Sequence, residues 1–63
     1  MATKKYEVVV ENESREEHHE FDSLPEADAL YESLRGKEGV FEVSLHDLEV
    51  SETLKVWCRA MRQ

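Results

Sequence analysis

The sequence predicts an α+β domain, two β-hairpins joined by one helix, and three observations carry that reading. Residues 4–11, 40–46 and 53–61 alternate apolar and other side chains with the period of two that suits a half-buried strand. Residues 24–34 instead repeat their apolar positions near the helical period. Turn-forming residues at 12–14 and 36–39 separate the segments.

In residues 4–11, Tyr6, Val8 and Val10 point one way, and Lys5, Glu7, Val9 and Glu11 the other. β-branched and aromatic residues dominate, which marks a central strand. Asn12, Glu13 and Ser14 supply a turn, because Asn tolerates left-handed φ and Ser bonds its local backbone. Residues 15–21 read as a far more polar strand, with Arg15, Glu17, His19 and Phe21 on one face and Glu16, His18 and Glu20 on the other. Charge of this kind blocks edge-to-edge pairing, so the strand belongs at an edge.

Ser23 followed by Glu26 has the spacing of a capping box, and Pro25 falls in the first turn, where its missing N–H is harmless. Leu24, Ala27, Leu30, Tyr31 and Leu34 form one apolar stripe, with Asp28, Glu32 and Arg35 opposite, and Gly36 ends the helix in a left-handed cap. In the third strand Phe41, Val43 and Leu45 are expected inward, with Glu42, Ser44 and His46 outward. In the fourth, Leu54, Val56, Cys58 and Ala60 are expected inward, which leaves Thr53, Lys55, Trp57, Arg59 and Met61 outward. Residues 47–52 are ambiguous, since Leu48 and Val50 could extend the third strand through a bulge and shift the parity by one.

These elements give β-β-α-β-β: a four-stranded sheet with the helix packed on one face. A right-handed crossover would set strands one and four side by side and parallel, in the order 2-1-4-3. This order of elements resembles the immunoglobulin-binding domains of streptococcal protein G and peptostreptococcal protein L. The likeness is one of architecture over most of the chain. No binding motif of those domains matches residue by residue, so it implies a fold and no function.

With 63 residues the chain is expected to be a single domain, 1–63, too short for a Rossmann unit with a substrate domain, a barrel enzyme or a kinase. The longest apolar run, Val8 to Val10, is far from a membrane span, and no hydrophobic segment follows Lys4 and Lys5 as in a signal peptide. A cytoplasmic protein is therefore expected. Fifteen acids against eight Lys and Arg give a net charge of −7, which argues against direct binding to nucleic acid or to an anionic membrane. Residues 11–22 carry six acids against Arg15 alone. Cys58 is the only cysteine, so the chain forms no internal disulfide, and the core must hold by packing or with a second copy.

Little in the sequence points to chemistry. His18 and His19 are adjacent in a strand and face opposite ways, and in the expected order His46 lies some ~14 Å from His18, too far for a shared metal. Cys58, on its inward face, reads as a small core residue rather than a nucleophile. A sheet and helix of this size leave little room for the ~300 Å³ pocket of a small ligand. The expectation is no enzyme, no cofactor and no metal.

Trp57 stands out. Were Cys58 to face the helix, Trp57 would lie on the open side of the sheet with Val9, Met61, Lys55 and Arg59, a composition typical of interface centres. Glu7, Glu11, Glu16, Glu20 and Glu42 would form its charged rim. The acidic strip Glu11, Glu13, Glu16, Glu17, Glu20 and Asp22 could take the place of phosphates in a basic groove. In size, acidity and element order the chain is similar to small phage and mobile-element inhibitors of host machinery, such as anti-CRISPR proteins and phage inhibitors of bacterial RNA polymerase. The expected function is a stand-alone interaction module that binds a protein partner with a basic surface. The alternative is a homodimer that buries the open face or pairs edge strands.

Overall fold

The computed structural model describes residues 4–59, which form β1 (Tyr6–Asn12), β2 (Glu16–Phe21), α1 (Leu24–Leu34), β3 (Val40–Asp47) and β4 (Glu52–Cys58). The four strands make one antiparallel sheet in the order β2-β1-β3-β4. The α+β class and element order agree with the sequence, but the expected strand order 2-1-4-3 is corrected. β3, not β4, lies beside β1. The reason is apolar matching: Val8 and Val10 sit opposite Leu45 and Val43, all four among the most buried residues of the chain. β4 would have offered Lys55 at that position, so the more apolar strand takes the centre. The parallel pairing of first and last strands expected from a right-handed crossover is therefore absent.

Local chemistry sets the turns. Asn12 Oδ1 accepts hydrogen bonds from the backbone N–H of Ser14 (3.2 Å) and Arg15 (3.0 Å), closing the β1–β2 turn. Ser23 occupies the N-cap of α1 in extended backbone but makes no side-chain cap bond, so the expected capping box does not form. Gly36, at φ +81°, takes the left-handed position after the C-cap Arg35. Between β3 and β4, Asp47 Oδ1 accepts from the Glu49 N–H, and Ser51 turns the chain at φ +55°.

The core joins Val8, Val10, Val43, Leu45 and Val40 from the sheet with Ala27 and Tyr31 from the helix. Tyr6, Phe21, Leu30, Leu34 and Trp57 pack around it, partly buried. The helix touches β1, β3 and β2. Its inner line runs through Ala27 and Tyr31, with Leu30 and Leu34 at the flank and Leu24 exposed, a rotation from the stripe expected.

Two register shifts correct the expected faces. Glu11 pairs with Glu42 but Asn12 with Val40, which leaves Phe41 as an extra residue in β3. Val40 is buried in its place, and Phe41, expected inward, is exposed. On β4, Lys55 pairs with Leu45 but Thr53 with His46, which leaves Leu54 extra. From Lys55 onward the parity is inverted: Trp57 lies opposite buried Val43, and Val56 and Cys58 turn to the face away from the helix. Ala60 lies outside the described residues.

Leu45 is fully buried, and truncating a buried Leu to Ala costs ~2–5 kcal/mol, about the whole stability of a domain this small. Leu45→Ala is expected to lack a cooperative urea transition. Leu24→Ala, at an exposed position, is expected to melt within ~0.5 kcal/mol of the parent protein.

Candidate functional site

Alternation in β1 sends Val8 and Val10 to the helix side, and so Glu7, Val9 and Glu11 to the opposite, open face. Register then builds three ranks across that face. Glu20, Glu7, His46 and Thr53 form the first. His18, Val9, Ser44 and Val56 form the second. Glu16, Glu11, Glu42 and Cys58 form the third. The five carboxylates of the expected rim, Glu7, Glu11, Glu16, Glu20 and Glu42, thus share one surface, with half-buried Val9 and buried Ser44 side by side at its middle. No lysine or arginine stands in the ranks.

The expected centre of that surface does not assemble. Trp57 lies on the helix side, partly buried against the core, and the Arg59 guanidinium stacks 5.5 Å from its ring centroid. Arg59 also donates to the carbonyls of Val40 (3.0 Å) and Lys37 (3.0 Å), which fastens the end of β4 to the loop after α1. Lys55 Nζ reaches Asp28 on the helix at 2.6 Å and lies over the Tyr31 ring. Its pKa is raised, first by the hydrogen bond to Asp28. Of the four described residues expected at the centre, only Val9 is on the open face. Met61 lies outside the described residues. The inversion at Leu54 is the physical cause, and a sequence signal existed only as the ambiguity of residues 47–52, a few positions too early.

The acidic strip is likewise divided by strand alternation. Glu11, Glu16 and Glu20 belong to the open face, while Glu13 sits in the β1–β2 turn and Asp22 pairs with Lys4 at 3.4 Å. Glu17 points to the helix side, where His19 and Arg15 hold it, and its pKa is lowered, first by the hydrogen bond from His19 and next by Arg15.

Histidines give the open face its internal order. His18 places Nδ1 2.9 Å from Glu7 Oε2 and Nε2 3.3 Å from Glu16 Oε2. Only the doubly protonated ring donates from both nitrogens, so its pKa is raised, chiefly by the hydrogen bond to Glu7. His46 lies 2.8 Å from Ser44 Oγ through Nε2 and 3.0 Å from Thr53 Oγ1 through Nδ1. This hydroxyl–imidazole–hydroxyl chain satisfies its own members, and Ser44, its one serine, is buried. Among the described residues no group of three or more His, Cys, Asp or Glu side chains is placed to hold a metal ion.

No protein family, curated protein or solved structure matches the chain. The reading of the site therefore rests on its geometry. A concavity of about 360 Å³ lies at the third rank, lined by Glu11, Phe41, Glu42, Cys58 and Arg59. A second, of about 540 Å³, lies between α1 and β4 and is lined by Leu24, Pro25, Asp28, Leu45, Leu54 and Lys55. Both exceed the room expected from chain length, yet both are open grooves at the β4 side rather than enclosed pockets. No helix among the described residues is long and apolar enough to cross a membrane.

His18 is expected to titrate above the ordinary histidine value of ~6.5, and Glu7→Gln to bring its midpoint back toward that value in an NMR titration. Because the folded pKa is raised, its contribution to stability is fully present below about pH 6.5 and is lost as pH rises through the folded midpoint. Cys58, on the open face and half-buried, is expected to react with Ellman's reagent in the native protein, in contrast to the slow labelling of a core thiol.

Proposed function

We propose that this chain is an interaction protein that acts by binding, without chemistry, and that it binds through the open face of its sheet. One observation carries the reading: five carboxylates are ranked on a flat face around Val9, with no lysine or arginine among them. Glu16, Glu11 and Glu42 stand side by side on three neighbouring strands, an arrangement of like charges that costs stability. Strand spacing of ~4.8 Å and a two-residue rise of ~6.8 Å make the array a dense lattice of negative charge. A basic protein surface relieves that repulsion and releases the bound counterions.

The partner that fits is a protein with a basic groove, of the kind that otherwise holds nucleic-acid phosphates. Carboxylates in ranks stand in for those phosphates, and the chain then works as an inhibitor by occupying the groove. An inhibitor of host machinery made by a phage or mobile element fits this size and acidity. A cytoplasmic location follows from the same reading.

Affinity capture from a bacterial lysate, eluted by salt and identified by mass spectrometry, supplies the partner. Glu11→Lys with Glu42→Lys is then expected to slow association at least tenfold at physiological salt, with the difference narrowing at high salt as the field is screened within ~3–8 Å. The double variant keeps positions 11 and 42 a like-charge pair but makes position 11 attractive to Glu16, so it should melt close to the parent. Unchanged association would place the contact elsewhere.

A further inference from the structure

We infer that β4 is a self-pairing edge, and that two copies of this chain join antiparallel through it, about a two-fold axis at Val56, into one eight-stranded sheet. This goes beyond the reading of the open face, whose five carboxylates lie on β1, β2 and β3 and stay uncovered in the pairing.

The two edges of the sheet are built differently. β2 carries Glu16, Glu17 and Glu20, and a charged edge of that kind resists pairing. β4 runs Leu54, Lys55, Val56, Trp57 and Cys58, and the one charge in that run is engaged by Asp28 and Glu32. The helix that covers β1 and β3 does not shield it. The exposed large hydrophobic residues gather on the same side: Leu54 (39%) and Val56 (46%) on the strand, Phe41 (44%) on its neighbour, Val50 (63%) in the turn leading into it, and Leu24 (40%) across the groove from Leu54. None lies on β1 or β2. An unguarded edge bordered by exposed apolar residues is a template for another strand.

Charge decides that a second copy fits, and in which register. Residues paired across antiparallel strands share a sheet face, so a two-fold axis normal to the sheet must fall on a residue. An axis on Leu54, the extra residue of the bulge, would set Thr53 of the open face against Lys55 of the helix side, and with the axis at Lys55 two lysines oppose each other. At Trp57, Lys55 meets Arg59 of the second copy. At Cys58, exposed Val56 stands two residues from the axis instead of on it. With the axis at Val56, Val56 meets Val56 and Lys55 meets Trp57, a cation beside an aromatic ring, while the bulge at Leu54 sets Thr53 of one copy opposite Cys58 of the other, both on the open face. No like charges oppose each other. Leu24 and Leu54 of both copies then border the trough left between the two helices, over β4. The acidic β2 edges end up seven strand spacings apart, ~34 Å, well beyond the ~8 Å screening length at physiological salt.

Sedimentation velocity across a dilution series tests the pairing, and the parent protein is expected to show a mass that rises toward twice the monomer's. Val56→Lys sets like charges at the axis and is expected to stay monomeric with a cooperative melt, whereas His18→Lys on the opposite edge strand should dimerise as the parent does. Register is read by air oxidation in a Cys58→Ser background. Val56→Cys should form a disulfide-linked dimer, because paired Cα atoms ~4.5–5.5 Å apart suit a disulfide, and Lys55→Cys should not. That readout stands even where Val56→Lys fails to fold. A parent protein monomeric at NMR concentrations, a dimer that survives Val56→Lys, one lost with His18→Lys, or crosslinking through Lys55→Cys in place of Val56→Cys would each overturn the inference.

Discussion

A single helix about 10 Å wide cannot cover four strands spaced ~4.8 Å apart, and most features of this protein follow from that mismatch. The helix centres on β1 and β3, where Val8, Val10, Val43 and Leu45 are the best-buried side chains. The two outer strands must be closed by other means. β2 does so with polar side chains that satisfy one another, Glu17 between Arg15 and His19 on the helix side and His18 between Glu7 and Glu16 on the open side. β4 does so with long side chains that reach back, Lys55 to Asp28 and Arg59 to the carbonyls of Lys37 and Val40. Trp57 fills the space beside the core that the helix leaves open.

Much of the fold was legible because it is local. Period-two alternation located β1, β2 and β3, the spacing of Leu24, Ala27, Tyr31 and Leu34 located the helix, and Gly36 takes its left-handed position. Asn12 turns the chain through its side-chain Oδ1 and not through the left-handed φ expected of it. Strand order was not local. It is settled by which strand offers Val8 and Val10 an apolar neighbour, a comparison between β3 and β4 rather than a property of either. The face of Phe41 and the faces of β4 from Lys55 onward were lost for a different reason. Phe41 and Leu54 are the extra residues of two bulges, and neither is a glycine or carries any local sign of one. A single inserted residue reverses every side chain beyond it. Hence Trp57 and Cys58 exchanged faces, while the carboxylates of β1 and β2, upstream of both bulges, fell where alternation put them.

The open face sets electrostatic cost against packing. Glu11 flanked by Glu16 and Glu42 is unfavourable in an isolated domain, and no apolar layer on that side offsets it. His18 reduces the repulsion at the β1–β2 border, and does so more fully as it protonates, so the charge the face presents falls as pH is lowered. On the helix side the pattern is opposite: Lys55, Arg35 and Arg15 each have a carboxylate partner. These three cations are thus engaged on the helix side, and the carboxylates of the ranks have none among them.

Charge and apolar exposure therefore separate across the sheet, carboxylates toward β2 and β1, exposed Val56, Leu54 and Phe41 toward β4. One chain can then hold two contacts of different character without conflict. A contact through β4 buries apolar surface and opposes no like charges, and it leaves the acidic ranks of both copies on the same side of one continuous sheet. Two such arrays on a rigid support would meet a partner with two basic sites as a single intramolecular event. Avidity of that kind can exceed either affinity by ~10²–10⁴ with no new contact. A monomer of this size has no comparable route to tight binding, because rim charges mainly raise association rates and its open face holds few apolar anchors to slow release. Pairing at β4 would thus matter to recognition at the acidic face even though none of the five carboxylates lies on β4.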